Sequence, residues 1–560
     1  MTKYLTSLLA LSLTALTPPL ASAAEPVVFD SFSYTGNDEI FATPLQPDEY
    51  RNPILAGYYP DPSICRVGDD YYLIHSSFSH FPGIPVFHST DLVNWTQLGH
   101  AIDRPDQLPY DGLGLSRGIF APAISYHDGL FYIVTTFIDA GGNFLITAED
   151  PAGPWSDPVY LDFDGIDPSL FFDESTGRAW MVNNGAPPDN KPLYDGHRAI
   201  WIQEWDIAAK KLIGPRKIII NGGVDLAQKP VWIEGPHIYK RGDWYYLNCA
   251  EGGTSVNHSQ VIFRSRKPDG PYTPFTDHPT LTQRDLPEDR PHPVTCTGHA
   301  DFVIGPDGDW WTVFLACTPY SGGHYNTGRQ TFLLPVTWSD DGWPTILEPG
   351  LTVPFVAKGP NGAGLDENAA FPLTGNFTWT DDFNAEKLSP AWLFMRAPQT
   401  TWWSLTDGSL RLTPRSDTLR GRHNPTFVGR RLQHNTFTAQ TTLHLPAESG
   451  VSAGLSAYHN ETRHYNFGVR RADSGYEIYL EAQRGAPEAA QFTVGQLQAE
   501  PGAAITLRLT GDRTDYVFDY STDAGATWTQ LGGTFDARNL SVETSYDFIG
   551  VLLGLYATTP

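Results

Sequence analysis

The stretch from Asp61 to Ile74 reads DPSICRVGDDYYLI and joins two short elements. The first element, Asp61-Pro62-Ser63-Ile64, places a carboxylate directly before a strand-like run. The second is a Gly-Asp turn followed by aromatic and β-branched residues, which is the usual pattern of an antiparallel hairpin. The stretch therefore predicts a β-hairpin whose first strand begins at an acidic residue.

Both elements recur along the first two thirds of the chain. The turn with its aromatic strand returns at 128–134, 176–182, 242–247 and 307–313, and the upstream element at 121–124, 167–170, 234–238 and 298–303. From Asp61, the steps to Ala121, Asp167, Glu234 and His299 are 60, 46, 67 and 65 residues. Repeated multi-strand units of this length predict a five-bladed β-propeller.

The propeller would bring the first residues of these five units together. The innermost strand of each blade lines the central axis, so the residue that starts it faces the mouth of the channel. At this position the sequence has Asp61, Ala121 after Phe120, Asp167, Glu234 and His299. Clustered acidic groups cost free energy, so a functional role is favoured over the alternative that Asp before Pro is a turn cap.

A second domain is predicted after residues 357–376, which are rich in Gly, Pro, Ala and Asn. Beyond them, apolar and polar residues alternate at 409–413, 476–481 and 505–510, a pattern typical of a β-sandwich. We therefore expect an all-β chain with a propeller over 24–360, a linker over 361–376 and a sandwich over 377–560.

Composition restricts the class of ligand. The chain has 37 Lys and Arg against 63 Asp and Glu, a formal net charge of −26, which disfavours nucleic acid and anionic membrane surfaces as partners. Aromatic residues reach 13% and charged residues only 18%, which suits a protein that handles neutral, hydroxyl-rich ligands.

The first residues resemble a targeting segment. Lys3 precedes an apolar run, and Ala21-Ser22-Ala23 matches a signal-peptidase site, so residues 1–23 are predicted to be a signal peptide. The run is too short for a membrane span, and we expect a secreted or periplasmic protein. The four cysteines, Cys65, Cys249, Cys296 and Cys317, are too few for a disulfide scaffold, although one disulfide among them is left open.

Taken together, the motifs resemble glycoside hydrolase family 43, among its β-xylosidases and α-L-arabinofuranosidases with a C-terminal concanavalin-like β-sandwich. The matching stretches are YPDPS (59–63), HSSF (75–78), FPGIP (81–85), STDLVNW (89–95), GIFAP (118–122), IDPS (166–169), EGP (234–236), AEGGT (250–254), TGHAD (297–301) and GRQTF (328–332). The resemblance covers nearly the whole chain after residue 24.

The resemblance implies roles for three acids. Asp61 corresponds to the general base, Glu234 to the general acid, and Asp167 to the carboxylate that tunes the pKa of the acid and orients it. Two carboxyl groups on either side of a glycosidic bond can hydrolyse it, one by protonating the leaving oxygen and the other by activating water.

Further positions correspond to substrate contacts. Arg329 would reach hydroxyl groups of the terminal sugar, Phe78 and Phe120 would be aromatic walls, and Thr254 is a weaker polar candidate. Phe548, within Tyr546-Asp547-Phe548, is a candidate for the loop that the sandwich lends to the site. A purely structural role in core packing is the alternative interpretation for these phenylalanines. The resemblance places His299 near a water or a water-coordinated Ca²⁺, and no cofactor is expected to be required.

The expected activity is exo-acting, inverting release of terminal β-D-xylose from xylo-oligosaccharides, in the breakdown of xylan. An α-L-arabinofuranosidase, or a bifunctional enzyme acting on arabinose-decorated hemicellulose, is the alternative within the same class. An endo-acting hydrolase with an open groove is a further alternative. A non-catalytic sugar-binding propeller is the alternative from another class, and it is disfavoured because Asp61, Asp167 and Glu234 are all retained.

Overall fold

The computed structural model describes residues 24–485 and 490–560, so the predicted signal peptide at 1–23 lies outside the described residues. Within these ranges the chain is almost entirely β, as expected. The exceptions are the helix Val542–Ser545 and the 3-10 turns Glu39–Phe41, Pro188–Asn190, Leu226–Gln228, Pro360–Gly362 and Ala537–Leu540. None of the described helices is long and apolar enough to cross a membrane.

Five antiparallel sheets follow one another along the chain. Blade one comprises Ser63–Val67, Asp70–Ile74, Gly83–Ser89 and Thr96–Ile102; blade two comprises Gly118–Ile119, Ala123–His127, Leu130–Ile138, Gly142–Ala148 and Val159–Tyr160; blade three comprises Ile166–Asp173, Arg178–Gly185, Ala199–Asp206 and Lys211–Asn221; blade four comprises Glu234–Arg241, Trp244–Glu251, Ser259–Ser265, Thr273–Pro274 and Leu281–Thr282; blade five comprises Thr295–Ile304, Trp310–Cys317, Gln330–Trp338 and Pro344–Thr345.

The innermost strands close into a ring. Each contacts the inner strand of the next blade in order, and that of blade five contacts that of blade one. The predicted five-bladed propeller is therefore confirmed. Two strand pairs lie outside the blades: Glu49–Arg51 pairs with Val356–Lys358, and His80–Phe81 pairs with Phe394–Met395 of the second domain.

The second domain is a sandwich of two antiparallel sheets. One contains Val27–Gly36, Thr378–Asp381, Trp403–Thr406, Ser409–Leu412, Thr436–His444, Ala504–Asp512, Asp515–Ser521, Thr529–Gln530 and Phe535–Asp536; the other contains Phe427–Arg431, Ser452–Asn460, Arg463–Arg471, Tyr476–Arg484, Gln491–Leu497 and Leu552–Thr558. Their facing apolar side chains form one core. The predicted β-sandwich is confirmed.

The predicted start of the propeller at residue 24 was wrong. Val27–Gly36 pairs with Thr436–His444 along most of its length and also with Ser409–Leu412 and Thr378–Asp381. Its buried residues Phe29 and Phe32 belong to the sandwich core. The alternating pattern identifies a strand but not its sheet, so the propeller is inserted between the first strand of the sandwich and the rest of that domain.

The two domains are in direct contact. Nε of Arg431 in the sandwich donates to the backbone oxygen of Tyr58 at 2.6 Å, and the backbone N–H of Val551 donates to the oxygen of Asn326 at 2.9 Å. The predicted linker is itself attached to the propeller, since Thr374 Oγ1 donates to the backbone oxygen of Pro53 at 2.6 Å. This packing fixes the sandwich beside the mouth of the channel.

Candidate active site

A cavity of about 580 Å³ lies at one mouth of the propeller channel. The structure brings all the predicted site residues together in its lining: Asp61, Phe78, Phe120, Asp167, Glu234, Thr254, His299, Arg329 and Phe548. Eight of them come from the propeller and Phe548 from the sandwich. The lining also includes Arg117, Ile138, Arg198 and Trp232, which the sequence analysis did not single out.

A β-bulge recurs at the same place in every blade and positions these side chains. In blade three, residues 166 and 169 of the inner strand pair with residues 184 and 182 of the next strand. In blade four, residues 234 and 237 pair with residues 250 and 248. In blade five, residues 298 and 301 pair with residues 315 and 313, so three inner-strand steps always face two steps of the next strand. Blades one and two repeat this spacing around residues 60–63 and 120–123. One extra residue bends the strand and re-aims its side chain toward the axis.

The first bulge residue is Asp61, Asp167 and His299 in blades one, three and five, each with a left-handed φ of 51° or 52°. In blade four this place belongs to Gly235, with a φ of 56°, and not to Glu234. The predicted equivalence of Glu234 with the two aspartates was therefore off by one residue. A Cβ at position 235 would lie 2.8 Å from Cδ2 of His299, so the glycine leaves room for that ring.

Asp61 is held as a carboxylate. Nη1 of Arg329 donates to Asp61 Oδ1 at 2.6 Å, and the hydroxyl of Ser76 donates to Oδ2 at 2.6 Å. Burial is the largest single effect and opposes ionisation of Asp61, but Arg329, His299 and the hydrogen bond from Ser76 together outweigh it, and the pKa lies below its usual value. Ser76 lies in the HSSF motif, whose presence could have pointed to it.

Glu234 and Asp167 are in the opposite electrostatic situation. Burial, followed by the negative charges of Asp167 and Asp61, raises the pKa of Glu234 well above its usual value. Burial and the charge of Asp61 raise the pKa of Asp167 to about 7, although the Gly235 N–H donates to its Oδ2 at 3.3 Å. One pocket therefore holds a carboxyl group whose pKa is lowered and another whose pKa is raised well above its usual value, which is the pairing that acid–base catalysis needs.

Aromatic rings enclose the arginine at the domain contact. The guanidinium of Arg329 lies 5.7 Å from the ring centre of Phe78 and 5.5 Å from that of Phe548. The two phenyl rings are stacked at 6.1 Å, and Phe120 meets Phe78 edge-on at 5.4 Å. The backbone of Phe548 is fixed on the propeller by its N–H, which donates to Ser116 Oγ at 2.9 Å. The sandwich thus closes one side of the cavity.

His299 does not lie in a metal-binding cluster. Its Nδ1 is 3.7 Å from Asp61 Oδ1, and burial lowers its pKa to about 4, so the imidazole is neutral. Among the described residues, no three His, Cys, Asp or Glu side chains are grouped to hold a metal ion. Ca²⁺ prefers six to eight oxygen ligands, and this donor set does not fit a directly coordinated Ca²⁺.

All four cysteines, whose state the sequence left open, are free thiols in the structure. Cys65, Cys249, Cys296 and Cys317 are wholly or partly buried, and none of them lines the cavity.

Both domains match known protein families. Residues 50–344 match the glycosyl hydrolases family 43, and residues 380–560 match the β-xylosidase C-terminal concanavalin A-like domain. A non-reducing end α-L-arabinofuranosidase from Bacteroides ovatus is 36% identical over 92% of both chains. A xylosidase/arabinosidase from Butyrivibrio fibrisolvens is 41% identical over 74% of this chain and 78% of its own.

Solved structures are similar over the whole fold. The crystal structure of a GH43_12 protein retrieved from capybara gut metagenome has a TM-score of 0.88 and 41% identity, covering 95% of this chain and all of its own. The Bacteroides ovatus xyloglucan-locus GH43B has a TM-score of 0.79 and 35% identity, covering 91% and 96% of the two chains. The chain belongs to glycosyl hydrolase family 43 and is a glycosidase.

Proposed function

We propose that the protein is an exo-acting, inverting glycosidase that releases terminal β-D-xylose from xylo-oligosaccharides. The observation that carries the proposal is the opposite shift of two carboxyl pKa values in one pocket. Arg329 favours the ionised form of Asp61, while burial and neighbouring carboxylates favour the protonated form of Glu234. A base and an acid are thereby available at the same pH.

In the proposed reaction, Asp61 accepts a proton from a water molecule, whose oxygen bonds to the anomeric carbon. The bond from that carbon to the leaving oxygen breaks, and Glu234 gives its proton to the leaving oxygen. Asp167 raises the pKa of Glu234 by its negative charge. Arg329 would donate to hydroxyl groups of the terminal sugar, and Phe78 and Phe548 would pack on its C–H surface. Thr254 would make a weaker polar contact.

Exo action is supported by the closure of the cavity. Its deep end holds Asp61 and Arg329, which are only 5% and 4% exposed, and the sandwich loop with Phe548 covers one side. A chain end can enter such a pocket, whereas an endo-acting enzyme needs a groove open at both ends. No cofactor is part of the proposed reaction, and a Ca²⁺ beside His299 would be held through water.

Inversion is supported by the blades that carry the two groups. Asp61 is on blade one and Glu234 on blade four, which are not neighbours in the ring because blade five with His299 lies between them. Inverting enzymes need about 6.5–9.5 Å between the carboxyl groups to admit water, against about 5–5.5 Å in retaining enzymes.

A second candidate is α-L-arabinofuranosidase activity. The name of the Bacteroides ovatus relative, which matches over nearly its full length, favours it. Turnover of nitrophenyl β-D-xyloside against nitrophenyl α-L-arabinofuranoside by the purified protein separates the two. A clear preference for the arabinofuranoside would replace xylose as the proposed sugar.

We also propose that the protein acts outside the cytoplasm, in the periplasm or secreted, where xylo-oligosaccharides or arabinose-decorated hemicellulose would be its substrates. The signal-like pattern of residues 1–23 supports this. Cell fractionation combined with N-terminal sequencing tests it, and a protein that stays in the cytoplasm with Met1 intact would contradict it.

Inversion predicts the first product anomer. Proton NMR of the wild-type enzyme with nitrophenyl β-D-xyloside, which releases a single xylose per turnover, should show α-xylose first, followed by slow conversion to the equilibrium mixture. The reason is that water attacks the face opposite the leaving oxygen. Spontaneous mutarotation of added xylose in the same buffer is the control for the time scale. Initial appearance of the β-anomer would refute the inverting mechanism.

Asp167→Asn should move the alkaline limb of the pH–rate profile to lower pH. The substitution removes a negative charge beside Glu234, so the pKa of Glu234 falls and the acid loses its proton at a lower pH. The acidic limb, set by Asp61, should move less, although interacting carboxyl groups share their titration. The profile is measured as kcat/KM with nitrophenyl β-D-xyloside.

The matched control for this charge change is Asp164→Asn. Asp164 lies three residues earlier in the chain but is exposed and does not line the cavity. It should leave both limbs in place. An unchanged alkaline limb at full activity in Asp167→Asn would make Asp167 a turn residue only.

A further inference from the structure

Trp232, two residues before Glu234, has an unusual backbone conformation for a bulky residue. Its φ is 52°, in the left-handed region that only small or short polar residues adopt readily. Its side chain is 38% exposed and lines the cavity. Backbone strain of this kind persists where the surrounding structure enforces it, and such residues cluster at ligand sites. The position therefore calls for a functional account.

Two neighbouring loops hold the Trp232 segment in place. The backbone N–H of Trp232 donates to the oxygen of Gly196 at 2.9 Å, and the N–H of Gly252 donates to the oxygen of Val231 at 2.8 Å. A Cβ at Gly196 would lie 2.8 Å from a methyl carbon of Val231 and 3.4 Å from Cδ1 of the indole. The ring thus packs closely on backbone and is fixed at the rim of the cavity.

Arg198 covers part of this indole ring and is itself fixed. Its guanidinium carbon lies 4.9 Å from the ring centre of Trp232. Nε and Nη2 of Arg198 both donate to Asn184 Oδ1, at 3.0 and 2.7 Å, and Asn184 Nδ2 donates to the backbone oxygen of Ile233 at 2.6 Å. The buried amide of Asn184 therefore ties the arginine to the loop segment that carries Trp232 and leads into the strand starting at Glu234.

The position of Trp232 and Arg198 within the cavity indicates which sugar of the substrate they would contact. In the proposed reaction the terminal sugar occupies the buried end, beside Asp61 and Arg329. The proton of Glu234 must lie at the scissile oxygen, and Trp232, which lines the same cavity, is 38% exposed where Glu234 is only 9% exposed. A sugar chain that leaves the buried end past Glu234 would therefore meet the more exposed Trp232.

We propose that Trp232 and Arg198 form the platform for this leaving sugar and select a pyranose there. The flat C–H face of a pyranose matches an aromatic face, and the guanidinium can donate to its hydroxyl or ring oxygens. The platform therefore favours a neutral xylo-oligosaccharide chain. The inference rests on the proposed function and adds the substrate class on the leaving side.

The test compares two donors that differ only in the leaving group. Xylobiose places a pyranose on the platform, whereas β-D-xylosyl fluoride has a leaving group too small to reach it. Trp232→Ala should lower kcat/KM for xylobiose by about 10- to 100-fold, the usual scale for truncating an aromatic anchor, and leave the fluoride within about twofold. Trp232→Phe, which keeps an aromatic face, should recover most of the loss.

Trp244→Ala is the matched control. It makes the same change at the other end of the same hairpin, on a tryptophan that also stacks with an arginine, Arg266 at 3.7 Å. Both donors should be unaffected there, and activity on the fluoride shows that each variant is folded. An equal loss of Trp232→Ala on both donors, or no loss on either, would overturn the platform. Wild-type enzyme that cleaves neither donor would instead overturn the xylosidase function and, with it, the assigned sugar.

Discussion

Asp61→Asn is expected to abolish hydrolysis of good and poor substrates alike. Water must be activated whatever the leaving group is, and an amide cannot accept the proton. Removal of a general base usually lowers the rate by about 10²–10⁴-fold. The measurement is kcat/KM on xylobiose and on nitrophenyl β-D-xyloside, and the two losses should agree within a few fold.

The substitution also removes the carboxylate that pairs with Arg329 at 2.6 Å, and a buried charge left without its partner is destabilising. Thermal unfolding of the variant therefore accompanies the kinetics, to show that the protein is folded at the assay temperature. Asp70→Asn is the control on the same blade, since Asp70 lies outside the cavity and its carboxylate contacts His88. Wild-type rates of Asp61→Asn on either substrate would refute the assignment.

Glu234→Gln is expected to lower the rate on substrates with poor leaving groups much more than on substrates with good leaving groups. Hydrolysis of xylobiose should fall by about 10²–10⁴-fold, because its leaving alkoxide requires a proton. Nitrophenyl β-D-xyloside should retain part of its rate, since nitrophenolate is a good leaving group. The alkaline limb of the profile with this substrate should also disappear, because it reports the proton of Glu234.

Glu174→Gln, at an exposed turn of blade three, is the control for the loss of one carboxylate. It should behave as the wild type on both substrates. Equal losses of Glu234→Gln on the two substrates, with the alkaline limb intact, would exclude Glu234 as the proton donor.

The number of blades and the place of the acids could be read from the sequence because they depend on a repeat. Every copy carries the same turn and aromatic strand, so Asp61 and Asp167 fell at equivalent positions. The position of Glu234 was predicted one residue off because its carboxylate was matched with those of Asp61 and Asp167. The feature that blades one, three and four share is instead the proline that follows the first bulge residue. Pro62, Pro168 and Pro236 occupy that place, after Asp61, Asp167 and Gly235.

Trp232 and Arg198 could not be found from the sequence in this way. They belong to loops outside the repeat, and the guanidinium of Arg198 is held by two hydrogen bonds to Asn184 in a neighbouring strand. Their significance depends on a contact between loops of two blades, which has no local pattern. The sheet that accepts Val27–Gly36 was hidden for a similar reason, since its partner strand Thr436–His444 is about 400 residues away.

The long sequence separation between Val27–Gly36 and its partner strands affects the order in which the protein folds during synthesis. During synthesis this strand leaves the ribosome first, and its neighbours follow only after all five blades have been made. The propeller can fold as a unit in the meantime, while the early strand waits with its backbone groups facing water or a chaperone. Closing so long a loop is slow, so the sandwich should be the last part to form. Because Phe548 reaches the cavity from that late domain, the pocket is completed only when the whole chain has folded.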